Sequence, residues 1–86
     1  MTTSDTRRPG AGYVPIPCAR YDFYEITIMH RNRLKLGWQD GNVSYEQEVT
    51  PLNLETRDGG EFLILRDADG IRREVRLDRI RHAEVL

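Results

Sequence analysis

Arg33-Leu34-Lys35-Leu36-Gly37-Trp38-Gln39-Asp40-Gly41-Asn42-Val43-Ser44-Tyr45-Glu46-Gln47-Glu48-Val49 reads as two strands and the turn between them. Leu34, Leu36 and Trp38 alternate with Arg33, Lys35 and Gly37, and Val43, Tyr45 and Val49 alternate with Ser44, Glu46 and Glu48. Such period-two alternation describes strands with one buried face. Asp-Gly between them is a strong hairpin signal, because type I′ turns need φ > 0 at both central positions. A two-residue turn at Asp40-Gly41 predicts Trp38 opposite Val43, Leu36 opposite Tyr45, Lys35 opposite Glu46 and Arg33 opposite Glu48. Apolar then meets apolar on one face, and cation meets carboxylate on the other. Cross-strand pairs of these kinds contribute roughly 0.2–1 kcal/mol each. A slip by one residue would drive charges into the core.

Two further Asp-Gly pairs, Asp58-Gly59 and Asp69-Gly70, extend the same pattern downstream. Phe62-Leu63-Ile64-Leu65 is continuously apolar, as expected of a strand covered on both faces. A two-residue turn at Asp69-Gly70 predicts Ile64 against Val75 and Phe62 against Leu77, but it also sets Arg66 against Arg73, which favours a longer loop or bulge. The alternation slips at Asp78-Arg79, consistent with a bend into a final strand over Arg81–Val85. Upstream, Pro15 and Pro17 fix their own φ and hold the residues before them extended, so no helix starts before about Cys18. Cys18, Tyr21, Glu25 and Ile28 then fall on one helical stripe, although the β-branched run Ile26-Thr27-Ile28 weighs against helix. The expected fold is mainly β: a helix over about 18–27 packed on a strongly bent antiparallel sheet or small barrel of about five strands. Residues 1–12, polar and rich in Gly and Pro, read as a disordered tail, and 13–86 as one domain.

Eighty-six residues must build that domain from apolar burial alone. The single cysteine, Cys18, excludes an intramolecular disulfide, and with only His30 and His82 beside it no zinc site of the usual type is expected. No run approaches a membrane span, and the amino-terminal residues lack the apolar stretch of a secretory signal. Together with a free thiol, this points to a reducing cytoplasm. Net charge is −1 but unevenly spread: +3 over residues 1–39, −6 over 40–69 and +2 over 70–86. Nucleic-acid binders usually carry a clear basic excess. The central acidic block suits either a basic protein partner or a solvated surface.

Catalytic patterns are scarce. Neither histidine has a neighbouring nucleophile pattern, and no Gly-rich phosphate loop is present. Glu46 and Glu48 share a strand face, yet Arg33 and Lys35 would hold them as structural ion pairs. Cys18 reads as a small buried hydrophobe at a helix start. Trp38, Tyr45 and Phe62 fall on core faces, whereas Tyr13, Tyr21 and Tyr24 suit binding and packing equally. The chain is therefore expected to act by binding, without catalysis, cofactor or metal.

The pattern Tyr13-x-Pro15-Ile16-x-Cys18-x-x-Tyr21-Asp22-x-x-Glu25, followed by Gly70-Ile71-Arg72-Arg73-Glu74-Val75-Arg76-Leu77-Asp78-Arg79-Ile80, resembles the Rho-binding antiterminator family Rof. The resemblance implies an Sm-like fold and a small monomeric inhibitor that binds the transcription termination factor Rho at its primary RNA-binding region. It implies an acidic contact surface that includes the N-terminal segment and the helix. Asp22 and Glu25 match the family's acidic positions, and Tyr13 and Tyr21 its aromatic ones. Ala19-Arg20 departs from the pattern, since the best-known members are acidic there, and this shifts weight onto Glu46, Glu48 and the acidic residues of 55–69. The alternative is an Sm-like module that binds single-stranded RNA directly through an edge of Arg72, Arg73, Arg76, Arg79 and Arg81.

Overall fold

The computed structural model describes residues 14–86. Helix α1 (Cys18–Met29) precedes five strands: β1 (Leu34–Asp40), β2 (Val43–Arg57), β3 (Gly60–Arg66), β4 (Arg72–Arg76) and β5 (Ile80–Val85), with a 3₁₀ turn over Leu77–Arg79. The strands form one antiparallel sheet in the order β4-β3-β2-β1-β5. The expected helix and five antiparallel strands are therefore present. The expected barrel is not closed, because among the described residues β4 and β5 remain the two edges of the sheet. The 3₁₀ turn carries the chain from the outer side of β3 to the free side of β1. The expected tail over 1–12 lies outside the described residues. No described helix is long and apolar enough to cross a membrane.

The sheet bends within β2. Its first half pairs with β1 and its second with β3, and the register shifts between Pro51 and Asn53. Proline cannot donate to a ladder, so a bulge at Leu52 absorbs the interruption and turns the strand. A second irregularity pairs Gly37 with His82 but Trp38 with Ile80.

Of the three turns, only the one at Asp58-Gly59 keeps a two-residue geometry on its Asp-Gly pair. The first hairpin turns at Gly41-Asn42, one residue later than predicted, so Trp38 pairs with Tyr45 and Lys35 with Glu48. Gly41 has φ +60 while Asn42 is not in the positive region, the order of a type II′ turn, which takes glycine first. Because the shift in pairing is even, every side chain keeps its expected face. Asp58-Gly59 turns as predicted, with both residues at positive φ. At Asp69-Gly70 the longer loop is present, five residues over 67–71, with Arg66 opposite Arg72 and Leu63 opposite Val75.

The core gathers Tyr24, Leu34, Leu36, Trp38, Val49, Leu63, Leu65, Val75, Leu77 and Ile80. Helix α1 buries Tyr24 and Thr27, with Tyr21, Phe23 and Ile28 half-buried beside them. The inward line is thus rotated from the predicted stripe, and both Cys18 and Glu25 are exposed. The Thr27 hydroxyl donates to the Tyr24 carbonyl at 2.8 Å, which satisfies it inside the core. At the helix end Arg31 takes φ 58 and donates to the Ile28 carbonyl, while the Asn32 amide donates to Thr27 at 3.0 Å. This pair of bonds is a Schellman motif with arginine in the position glycine usually fills.

Candidate functional site

One flank of α1 carries acidic groups beside apolar surface. Tyr21, Glu25, Ile28 and Met29 face Asn53 and Leu54 of β2 across a shallow groove of about 330 Å³. The Asp58-Gly59 hairpin sets Thr56 opposite Glu61. Both reach the Tyr21 phenol: Thr56 hydrogen-bonds to it, and the fields of Glu61 and Glu25 act on it. Burial is the first cause that pushes the Tyr21 phenol above its usual value, the two carboxylates add to the rise, and the Thr56 bond opposes it. Asp22 is exposed next to Tyr21, and among the described residues neither Asp22 nor Glu25 is in an ion pair. Met29, at the groove's end, is 72% exposed. Carboxylates without a cation, beside a phenol and aliphatic surface, suit a basic side chain with a long apolar stem.

The remaining predicted positions are placed elsewhere. Glu46 and Glu48 lie on the outward face of β1 and β2, paired diagonally with Lys35 at 3.6 Å and Arg33 at 3.4 Å. Glu46 also meets His82 at 3.2 Å, whose ring lies so close over Gly37 that a Cβ there would fall 2.5 Å from it. These two glutamates therefore pair with a basic strand and do not line the groove beside α1. Tyr13 lies outside the described residues. Tyr24 is core, at 1% exposure.

The arginines of the C-terminal half are mostly neutralised. Arg72 bonds to Glu74 at 3.0 Å, Arg73 to Asp67 at 2.6 Å and Arg76 to Asp78 at 2.7 Å. Arg57 bridges Glu55 and Glu74 and stacks over Phe62 at 4.3 Å. Arg81 donates to Gln39 at 3.2 Å. Asp67, 5% exposed, accepts from the amides of Asp69 and Ile71 at 2.9 Å as well as from Arg73. The Arg73 bond first, and these amides with it, hold its carboxyl below the usual carboxylate value. The Asp78 carboxylate also accepts from the Val14 amide at 3.0 Å, which ties the start of the described chain to the 3₁₀ turn.

Sequence reasoning singled out Tyr21, Asp22 and Glu25 and held Glu61 only among the acidic residues of 55–69; it did not place Glu61 or Thr56 beside Tyr21. The register of the Asp58-Gly59 hairpin, which the turn chemistry does encode, was the available signal. It also missed the separation of Arg20 from the acidic flank: Arg20 borders a different groove, between α1 and β5.

A family profile described as "Modulator of Rho-dependent transcription termination (ROF)" matches residues 15–86. No curated protein sequence matches. Among solved structures, the proteasome accessory factor B/C (PafBC) of Arthrobacter aurescens is similar, with a TM-score of 0.73 and 21% identity over 90% of this chain. The matched region spans 13% of that protein, so the likeness is one of fold.

Proposed function

Because the chain belongs to the family of modulators of Rho-dependent transcription termination, we propose that it binds Rho directly and keeps RNA from Rho's primary RNA-binding region. It acts in the cytoplasm, by occupying that site and without catalysis. The observation that supports this reading is the contrast between its two charge clusters. Asp22 and Glu25 stand exposed with no ion pair among the described residues, next to Tyr21 and Glu61. The arginine edge, by contrast, is largely tied to Glu74, Asp67 and Asp78. A site built for phosphates is basic, so a carboxylate-bearing surface competes for it by electrostatic complementarity.

The test is capture of purified Rho from the same bacterium at low salt, with single-stranded RNA as competitor. The chain is expected to bind Rho and to be displaced by RNA. Asp22→Arg with Glu25→Arg is expected to abolish binding and leave the melting temperature within about 2 °C, because both side chains are exposed and away from core contacts. Binding that survives this reversal would place the contact elsewhere. Tight RNA binding without Rho binding would favour the direct RNA-binding reading instead.

A further inference from the structure

Ala19-Arg20 breaks the acidic character of the family pattern, and the structure shows where that change falls. On α1, Arg20 projects to the side opposite Glu25. There Arg20, Phe23, Ile80, Arg81, His82 and Ala83 border a groove of about 460 Å³ between the helix and β5. Its floor is apolar: Ile80 is buried and Phe23 and Ala83 pack on the core. Two arginines stand at its rim. Neither Arg20 nor Arg81 is in an ion pair among the described residues, in contrast to Arg57, Arg72, Arg73 and Arg76. The helix therefore separates charge by flank, with Glu25 on the groove toward β2 and Arg20 on the groove toward β5.

We propose that the groove between α1 and β5 is a second contact that receives an acidic segment of the partner protein. In it a Glu or Asp side chain meets Arg20 and Arg81, and an adjoining apolar side chain rests on Phe23 and Ile80. This rests on the reading that the partner is Rho, and it adds that Rho presents carboxylates beside its basic RNA-binding surface. Guanidinium groups take carboxylates and phosphates alike in bidentate geometry. The surroundings decide between them. Affinity for a nucleic acid grows with the number of phosphates neutralised, and only two arginines stand here, of which Arg81 also donates to Gln39. An isolated carboxylate with an apolar neighbour matches two cations over an apolar floor. Engaging opposite charges on both flanks of one helix also fixes the orientation of docking, because a reversed pose sets like charges together.

The test measures affinity for Rho at low salt for the wild-type chain, for Arg20→Glu with Arg81→Glu, and for Asp22→Arg with Glu25→Arg, with thermal melts as a folding control. An oligonucleotide of single-stranded RNA is titrated separately. The arginine reversal is expected to weaken Rho binding at least tenfold, while Arg20→Lys with Arg81→Lys retains most of it. Wild-type affinity in the arginine-reversed variant, with binding lost in the acid-reversed one, overturns the second contact and leaves the function standing. Absence of Rho binding by the wild-type chain overturns both. RNA binding that depends on Arg20 and Arg81 shows that the groove takes phosphates, and this also overturns the proposal.

Discussion

Asp67 shows how one side chain can set a loop. Its carboxylate, with no exposed side-chain surface, holds the amides of Asp69 and Ile71 and the guanidinium of Arg73. It closes the longer loop at Asp69-Gly70 on itself, and Arg66 then stands opposite Arg72 in place of Arg73. Its folded pKa lies below the ordinary 3.8, so the unfolded chain takes up a proton where the folded chain does not. The stability it contributes is thus present above the ordinary carboxylate value and is lost as pH falls through the folded one. In Asp67→Asn, an amide oxygen still accepts from the loop amides, but the ionic bond to Arg73 is gone. Denaturation midpoints measured from pH 6 down to about pH 2.5 are expected to fall more steeply in the wild-type chain than in this variant below about pH 4. Parallel profiles would show that Asp67 is not the titrating group. The sequence did not display this role, because a two-residue turn at Asp69-Gly70 leaves Asp67 as an ordinary residue near the end of a strand.

At the scale of elements, α1 is held by its packing and is weakly specified at its ends. Pro17 caps it without a side-chain bond, and Ile26-Thr27-Ile28 is a β-branched run that becomes helical because Thr27 and Ile28 pack inward. At its C-terminus, Arg31 occupies a left-handed conformation that costs a non-glycine residue about 1 kcal/mol. Arg31→Gly relieves that strain and is expected to raise stability by about 0.5–1 kcal/mol in urea titration, part of the gain being offset by the greater freedom of glycine when unfolded. A destabilised variant would mean that the Arg31 side chain supports the helix end. The strands were more legible than the helix. Alternation at Leu34, Leu36 and Trp38 gave the buried face of β1 correctly, as all three are core. It could not separate a type I′ turn at Asp40-Gly41 from a type II′ turn at Gly41-Asn42, because both keep that face. The ion pairs foreseen for Arg33 with Glu48 and Lys35 with Glu46 exist, but along the diagonals of the ladder. The helix stripe failed because it counted Cys18 as apolar and overlooked Thr27, whose hydroxyl is satisfied by its own helix.

Across the whole molecule, the candidate site was legible in part. Tyr21, Asp22 and Glu25 are near neighbours along one helix and could be grouped from the chain. Glu61 joins them only through a hairpin register, and Arg20 leaves them only through the rotation of α1 against β5. Sheet order has one more consequence. Neighbours in sequence pair across short turns from β1 to β4, whereas β5 returns to β1, with Leu34 opposite Val85. Closing that contact orders nearly the whole meander at once, so its entropy falls on one edge strand. That strand is exposed at Arg81, His82, Glu84 and Val85. Native-state hydrogen exchange is expected to find the β5 amides opening well below the global unfolding free energy, while the amides shared by β2 and β3 open only with it. Equal protection in both would show a single cooperative unit. If β5 opens first, it takes with it the wall of the groove that carries Arg81, and that contact is then made only by the fully closed sheet.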